Sequence, residues 1–261
     1  MTTQSGCQLA APLPTLRVTA ACSGTQRPPA GMRPLAAGSP SPMPSRRESV
    51  VQVLLDRFGR TSAEQAGIRL ADKPSPLYQL LVLATLLSAR ISGDIAVAAA
   101  KELFAAGYRT PQRMRQSSWQ DRVDALGRAG YRRYDERTST MLDDAAVLLL
   151  DRWRGDLRNL RDDAGADPQR IRELLTEFKG MGPVGADIFL REVQAVWPEV
   201  APYVDGRVMQ GAEKVGLPSN ARDLSGLVDS PRDLARLSSA LVRVSRGSRA
   251  AEDVKQQASG G

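Results

Sequence analysis

The chain contains no histidine, so a Ser-His-Asp triad, a Cys-His pair, a histidine-ligated zinc site and an imidazole proton shuttle are all excluded. Cysteine occurs twice in 261 residues, as Cys7 and Cys22. Both lie in a proline-rich stretch where they can at most pair with each other. No thiolate cage, iron–sulfur cluster or disulfide framework can therefore hold the body of the protein. Aromatics make up only 5% of the residues and β-branched residues never alternate in runs, which removes a sandwich or barrel. No stretch reaches the roughly 18 uninterrupted apolar residues that a membrane span requires. Any chemistry falls to carboxylates, lysine, tyrosine, hydroxyls and backbone groups, with no metal and no cofactor expected.

What is present points to a helical body. Hydrophobic residues are 42% of the chain, enough to bury a real interior. Lysine plus arginine exceed aspartate plus glutamate by 36 − 29, a net charge of +7, and such a surplus favours a phosphate-rich partner. Only five of the 36 cations are lysine, so an arginine-heavy composition is a competing origin for the surplus.

Residues 1–45 hold eight of the 17 prolines, three arginines and no acid, and read as a disordered leader. The segment from Leu9 to Cys22 lacks a basic start and is broken by Pro12 and Pro14, so no secretory signal is expected. The expected location is the cytoplasm, beside the nucleoid if the source is bacterial. Residues 46–246 read as one helical domain and 247–261 as a flexible tail. Apolar spacing with start and stop residues predicts helices over 49–58, 77–89, 91–106, 111–116, 119–126, 136–153, 168–178, 186–197, 206–215 and 230–244. The helix from Leu77 is apolar almost all round and is expected at the centre. Trp119, Trp153 and Trp197 are expected in packing. These elements, with no convincing strand, make the fold class all-α.

One linker is unlike the others: Lys179-Gly180-Met181-Gly182-Pro183-Val184-Gly185. Its glycines break helix and Pro183 suits a first helical turn, so the chain is expected to form a tight hairpin between packed helices. Unpaired amides at the start of the helix from Ala186 would then suit a phosphate oxygen. Spacing alone favours an ordinary glycine-rich turn.

The wider sequence adds to this. Phe178 to Ala186 resembles the hairpin of the helix-hairpin-helix DNA glycosylases, the superfamily that contains endonuclease III. Some 19 residues on, Tyr203-Val204-Asp205-Gly206-Arg207-Val208 is similar to that family's Val-Asp-x-x-Val segment. Leu86-Leu87-Ser88-Ala89-Arg90 resembles its Leu-Leu-Ser-x-Gln stretch, and Ala129-Gly130-Tyr131 its short turn before a long helix. The resemblance runs from about Leu77 to Val228. It implies a bilobal helical fold that grips double-stranded DNA at the hairpin and turns a damaged or mismatched base out into a cleft, as a monomer and without a membrane. It implies Asp205 as the catalytic carboxylate, with Lys179, Gly180, Met181, Gly182, Val184, Gly185, Arg90, Tyr131 and Arg132 against DNA. Asp205 is open to a second role, as N-cap of the helix from Gly206.

Departures from the family pattern narrow the expectation. Val184 stands where strand-cleaving members carry a lysine, and valine forms no Schiff base, so the resemblance implies a monofunctional glycosylase. Lys179 lies on the opposite flank of the turn, where its bland role is a phosphate contact. The four-cysteine cluster after the aspartate is missing, leaving the last helix to apolar packing. Tyr131 and Tyr134, flanking Arg132 and Arg133, fit a stacking wedge or a solvated helix start. Arg243, Arg246 and Arg249 fit DNA contacts or a solvated tail. Two other readings stay open: a DNA-binding module of the same fold without chemistry, and a helical scaffold whose hairpin is purely structural.

Overall fold

The computed structural model describes residues 45–259. The expected leader, with Cys7 and Cys22, lies outside the described residues apart from Ser45. The described chain forms helices α1 (Arg46–Phe58), α2 (Ser62–Gln65), α3 (Pro74–Ser88), α4 (Gly93–Ala105), α5 (Pro111–Gln116), α6 (Trp119–Arg128) and α7 (Asp135–Trp153). It continues with α8 (Leu157–Asp163), α9 (Pro168–Thr176), α10 (Gly182–Val193), a 3-10 turn (Pro198–Val200), α11 (Gly206–Val215), α12 (Ala221–Ser225), α13 (Pro231–Ser245) and α14 (Ser248–Ser259). No strand occurs among the described residues and the fold is all-α. None of these helices is long and apolar enough to cross a membrane.

Helix starts are written locally. Ser45 with Glu48, Thr61 with Glu64 and Ser118 with Asp121 form reciprocal capping boxes, satisfying amides that a helix leaves without partners. Proline occupies the first turn of α3, α5, α9, α10 and α13, where its missing N–H costs nothing.

Two hydrophobic cores result. The first is built on α3, whose residues Leu77 to Leu86 are buried apart from Gln79, and takes apolar faces from α2 through α10 and from the 3-10 turn. The second gathers Val50, Val51 and Leu54 of α1 with Val208, Ala212, Leu234, Leu237 and Leu241 of α11 and α13. Thus the first helix of the described chain belongs to the same lobe as the last ones. α11 lies so close on α13 that a Cβ at Gly211 would fall inside the Leu241 carbonyl. Within the first lobe, buried Arg122 donates to carbonyls of Met114, Ser117 and Ser139, tying α5, α6 and α7 together.

Two expectations are corrected. Of the flexible tail expected over 247–261, the described residues 248–259 form α14, which sets Ala251 and Val254 into the second core, apolar positions three apart on a polar helix whose pattern is easily missed. α10 starts at Gly182 and not Ala186, because the first turn of a helix tolerates glycine and proline that its interior does not.

Candidate functional site

The hairpin joins α9 to α10. Its tightness rests on Gly180, at φ 86°, a conformation in the left-handed region that L side chains rarely adopt. A Cβ there would also collide with the Met141 side chain. The Gly180 carbonyl accepts from Ser88 Oγ at 2.7 Å, which locks the turn to the end of α3. Gly182, at φ 55°, has open space around it. Gly185 is buried against Ser88 and Met181, so α10 packs closely on α3.

The amides divide accordingly. Met181 donates to the Phe178 carbonyl and Gly185 to that of Met181, while no backbone carbonyl among the described residues accepts from Gly180, Gly182 or Val184. The open donors therefore sit one turn earlier than expected. They lie at the positive end of a 12-residue helix, which favours an anion.

Two depressions flank this corner. One, of about 240 Å³, takes Gly180 together with Arg90, Tyr134 and Arg137. The other, of about 600 Å³, takes Val184 together with Asp187, Arg191, Asp205, Arg207 and Gln210. The hairpin and Asp205 thus border the same space.

Asp205 is held from two sides. Its Oδ1 accepts from the amides of Arg207 (2.8 Å) and Val208 (3.2 Å), making it the N-cap of α11. Its Oδ2 lies 2.7 Å from Arg191 Nε. That N–H is aimed at the Asp187 carbonyl, 3.3 Å away, so the contact is a charge pair without a hydrogen bond. Oδ2 is otherwise buried and without a donor. Both side chains are about nine-tenths buried.

The stretch before Asp205 is pinned by the same helix. Asp187 accepts from Tyr203 Oη at 2.7 Å and from Arg172 Nε at 2.6 Å. Burial, then this bond to Asp187, pushes the Tyr203 hydroxyl well above its ordinary range. Gln194, fully buried at the C-cap of α10, accepts from the Tyr203 amide (2.9 Å) and donates to the Tyr203 carbonyl (3.2 Å). Positions 187, 191 and 194 fall at i, i+4 and i+7, one face of the helix. Sequence reasoning missed all three. The available signal was polar residues at helical spacing within an otherwise apolar helix.

Positive charge gathers here. Burial, then the neighbouring guanidiniums of Arg207 and Arg191, lowers the pKa of Arg246 below the ordinary arginine value. Arg246 has no carboxylate partner among the described residues.

Several expected contacts are not where the sequence put them. Tyr131 is fully buried, 3.4 Å from Thr138 Oγ1, because its aromatic ring belongs to the first core and only Arg132 and Arg133 face solvent. It cannot serve as a wedge. Tyr134, half-buried under the Arg133 guanidinium, is the ring at the surface. Met181 is buried and can offer no side chain to a ligand. Lys179 pairs with Asp144 of α7 at 2.9 Å. Trp153 and Trp197 are packed as expected, whereas Trp119 is 42% exposed. Arg243 is committed to the carbonyls of Phe58, the last residue of α1, and of Arg60 just beyond it. Arg90, Val184 and the hairpin glycines do border the two depressions or the turn between them.

No family model and no curated protein matches the chain. Among solved structures, a trapped endonuclease III–DNA covalent intermediate in an estranged-adenine complex is similar at 16% identity and a TM-score of 0.42. The alignment covers 77% of this chain and 85% of that one. At that distance it assigns this chain no activity.

Proposed function

We propose that the protein grips the backbone of duplex DNA at the α9–α10 hairpin and hydrolyses the N-glycosidic bond of a damaged or mismatched base with Asp205. The observation that carries this reading is the double use of α10. Its first turn offers the open amides of Gly182 and Val184, and Asp187 and Arg191 further along it, with Gln194 at its C-cap, fix the Asp205 segment. A phosphate held at one end therefore sits in register with a carboxylate beside the same depression.

The chemistry needs one anion. As the base departs, C1′ gains oxocarbenium character, which a nearby carboxylate stabilises while it orients or deprotonates water. Val184, 47% exposed at the edge of the depression, supplies no amine, and Lys179 is engaged with Asp144. The reading is accordingly base release without strand cleavage.

The test is base release from a panel of lesion-bearing duplexes followed by alkali, with wild-type and Asp205→Asn protein. Release that falls roughly 100-fold or more in the variant supports the reading, in line with the usual contribution of a general base. Borohydride trapping of a covalent DNA adduct would overturn the lyase-free part.

One observation favours a second reading, a DNA-binding module without turnover: Asp205 Oδ1 caps α11 through two amides and Oδ2 lies buried against the Arg191 charge. Tight, salt-sensitive duplex binding with no release from any lesion selects it.

A further inference from the structure

At the far end of α10 from the hairpin, along the seam between the lobes, lies a groove of about 680 Å³. Its rim carries Arg60 and Arg69 from the links on either side of α2, and Arg232 and Arg236 from α13. Ala195 and Val196 belong to its apolar lining. Only two acids border it, and both accept from backbone amides. Glu64 accepts from the Thr61 amide at 3.0 Å. Glu192 accepts from Ser62 and Ala63 at 2.8 and 3.1 Å, one amide on each oxygen. Arg236 has Asp233 at 3.4 Å, while no carboxylate among the described residues pairs with Arg60, Arg69 or Arg232.

We propose that this groove is a second contact for the nucleic-acid backbone, separate from the hairpin; the inference rests on the DNA-binding part of the function proposed above. Guanidinium forks match phosphate oxygens in pairs. Three guanidiniums without a carboxylate partner, with Arg236 beside them, exceed what a single free anion requires, whereas successive phosphates of a strand would engage them in turn. The spacing agrees. α10 holds 12 residues and so separates the hairpin from the groove by about 18 Å, roughly five base steps of duplex.

The experiment is anisotropy titration of a labelled duplex of about 20 base pairs across a salt series, because each neutralised phosphate adds about 0.9 to the slope of log K against log salt. The proteins are wild type, Arg69→Gln/Arg232→Gln and Gly182→Asp. Neither arginine has a carboxylate partner, so the double variant should keep the wild-type melting temperature. Its slope should flatten by about 2 and its affinity at low salt should fall at least about 10-fold. An unchanged slope overturns the groove. If Gly182→Asp alone weakens binding, the groove fails and the hairpin reading stands. If the arginine variant alone does, the groove stands and the hairpin is not the anchor. If neither does, both fail. Polyglutamate that binds wild type but not the arginine variant, with duplex affinity unchanged, assigns the groove to an acidic polypeptide and overturns the proposal.

Discussion

Arg191 sits over Asp205 with Nε 2.7 Å from Oδ2, while its N–H points elsewhere, at the carbonyl of Asp187. The carboxylate is thus neutralised by charge and oriented by the two amides at its other oxygen. Removing the cation strands a buried anion. Arg191→Met should destabilise the protein by roughly 3 kcal/mol. Asp205→Asn, which keeps an amide-accepting oxygen at the cap, should cost less than Asp205→Ala, whose lost cap alone is worth about 1 kcal/mol. In urea titrations, Arg191→Met combined with Asp205→Asn should fall short of the sum of the single effects by about 1 kcal/mol or more. Strict additivity would show that the pair contributes nothing.

Gly180 combines a positive φ with direct contact on Met141. Gly180→Ala should cost about 2 kcal/mol, from the left-handed conformation and the displaced thioether together. Adding Met141→Ala should recover the steric part and leave the conformational one. Equal melting temperatures for wild type and Gly180→Ala would contradict this account of the hairpin.

Glu192 carries a pKa raised above the ordinary glutamate value, chiefly by complete burial, with the amides of Ala63 and Ser62 opposing the shift. A raised acid binds its proton more readily in the folded state. Between its unfolded and folded pKa values the folded protein therefore holds more protons, and stability falls as pH rises through that window. Differential melting of wild type against Glu192→Gln should show the wild type's relative stability greatest below pH ~4.5 and declining as pH rises above it. A flat difference would remove Glu192 as the titrating group.

α14 is part of the second core. Ending the chain before Ser248 removes Ala251 and Val254 from their sites and uncovers apolar surface on α1 and α13. The truncated protein should lose about 2–4 kcal/mol, measured by urea midpoint. An unchanged midpoint would return this segment to the status of a tail.

Local chemistry made part of this molecule legible in its residues. α11 is bounded by Asp205 as cap and Gly216 as left-handed stop, and both ends follow from side-chain type. The central place of α3 follows from apolar residues on every side. The hairpin follows from glycine and proline, although its exact start did not, since glycine reads as a breaker even where a first turn accepts it. What stayed hidden was set by tertiary packing. The Arg191–Asp205 pair spans two elements and has no period to betray it. Tyr131 is buried beside two exposed arginines, so its charged neighbours concealed it. In α14 two apolar residues on a polar background sufficed, because α1 and α13 were already waiting to cover them.

That last arrangement bears on how the chain comes to be made. α1 leaves the ribosome about 180 residues ahead of α13 and about 200 ahead of α14, yet among the described residues its Val50, Val51 and Leu54 find their cover in that later part of the chain. The first lobe can close on itself while α1 remains uncovered, so the second lobe is sealed only once α13 and α14 have emerged. Contacts between such distant stretches of sequence form slowly and leave greasy surface open in the meantime. The interval before the clasp shuts is when the nascent protein is most prone to aggregate.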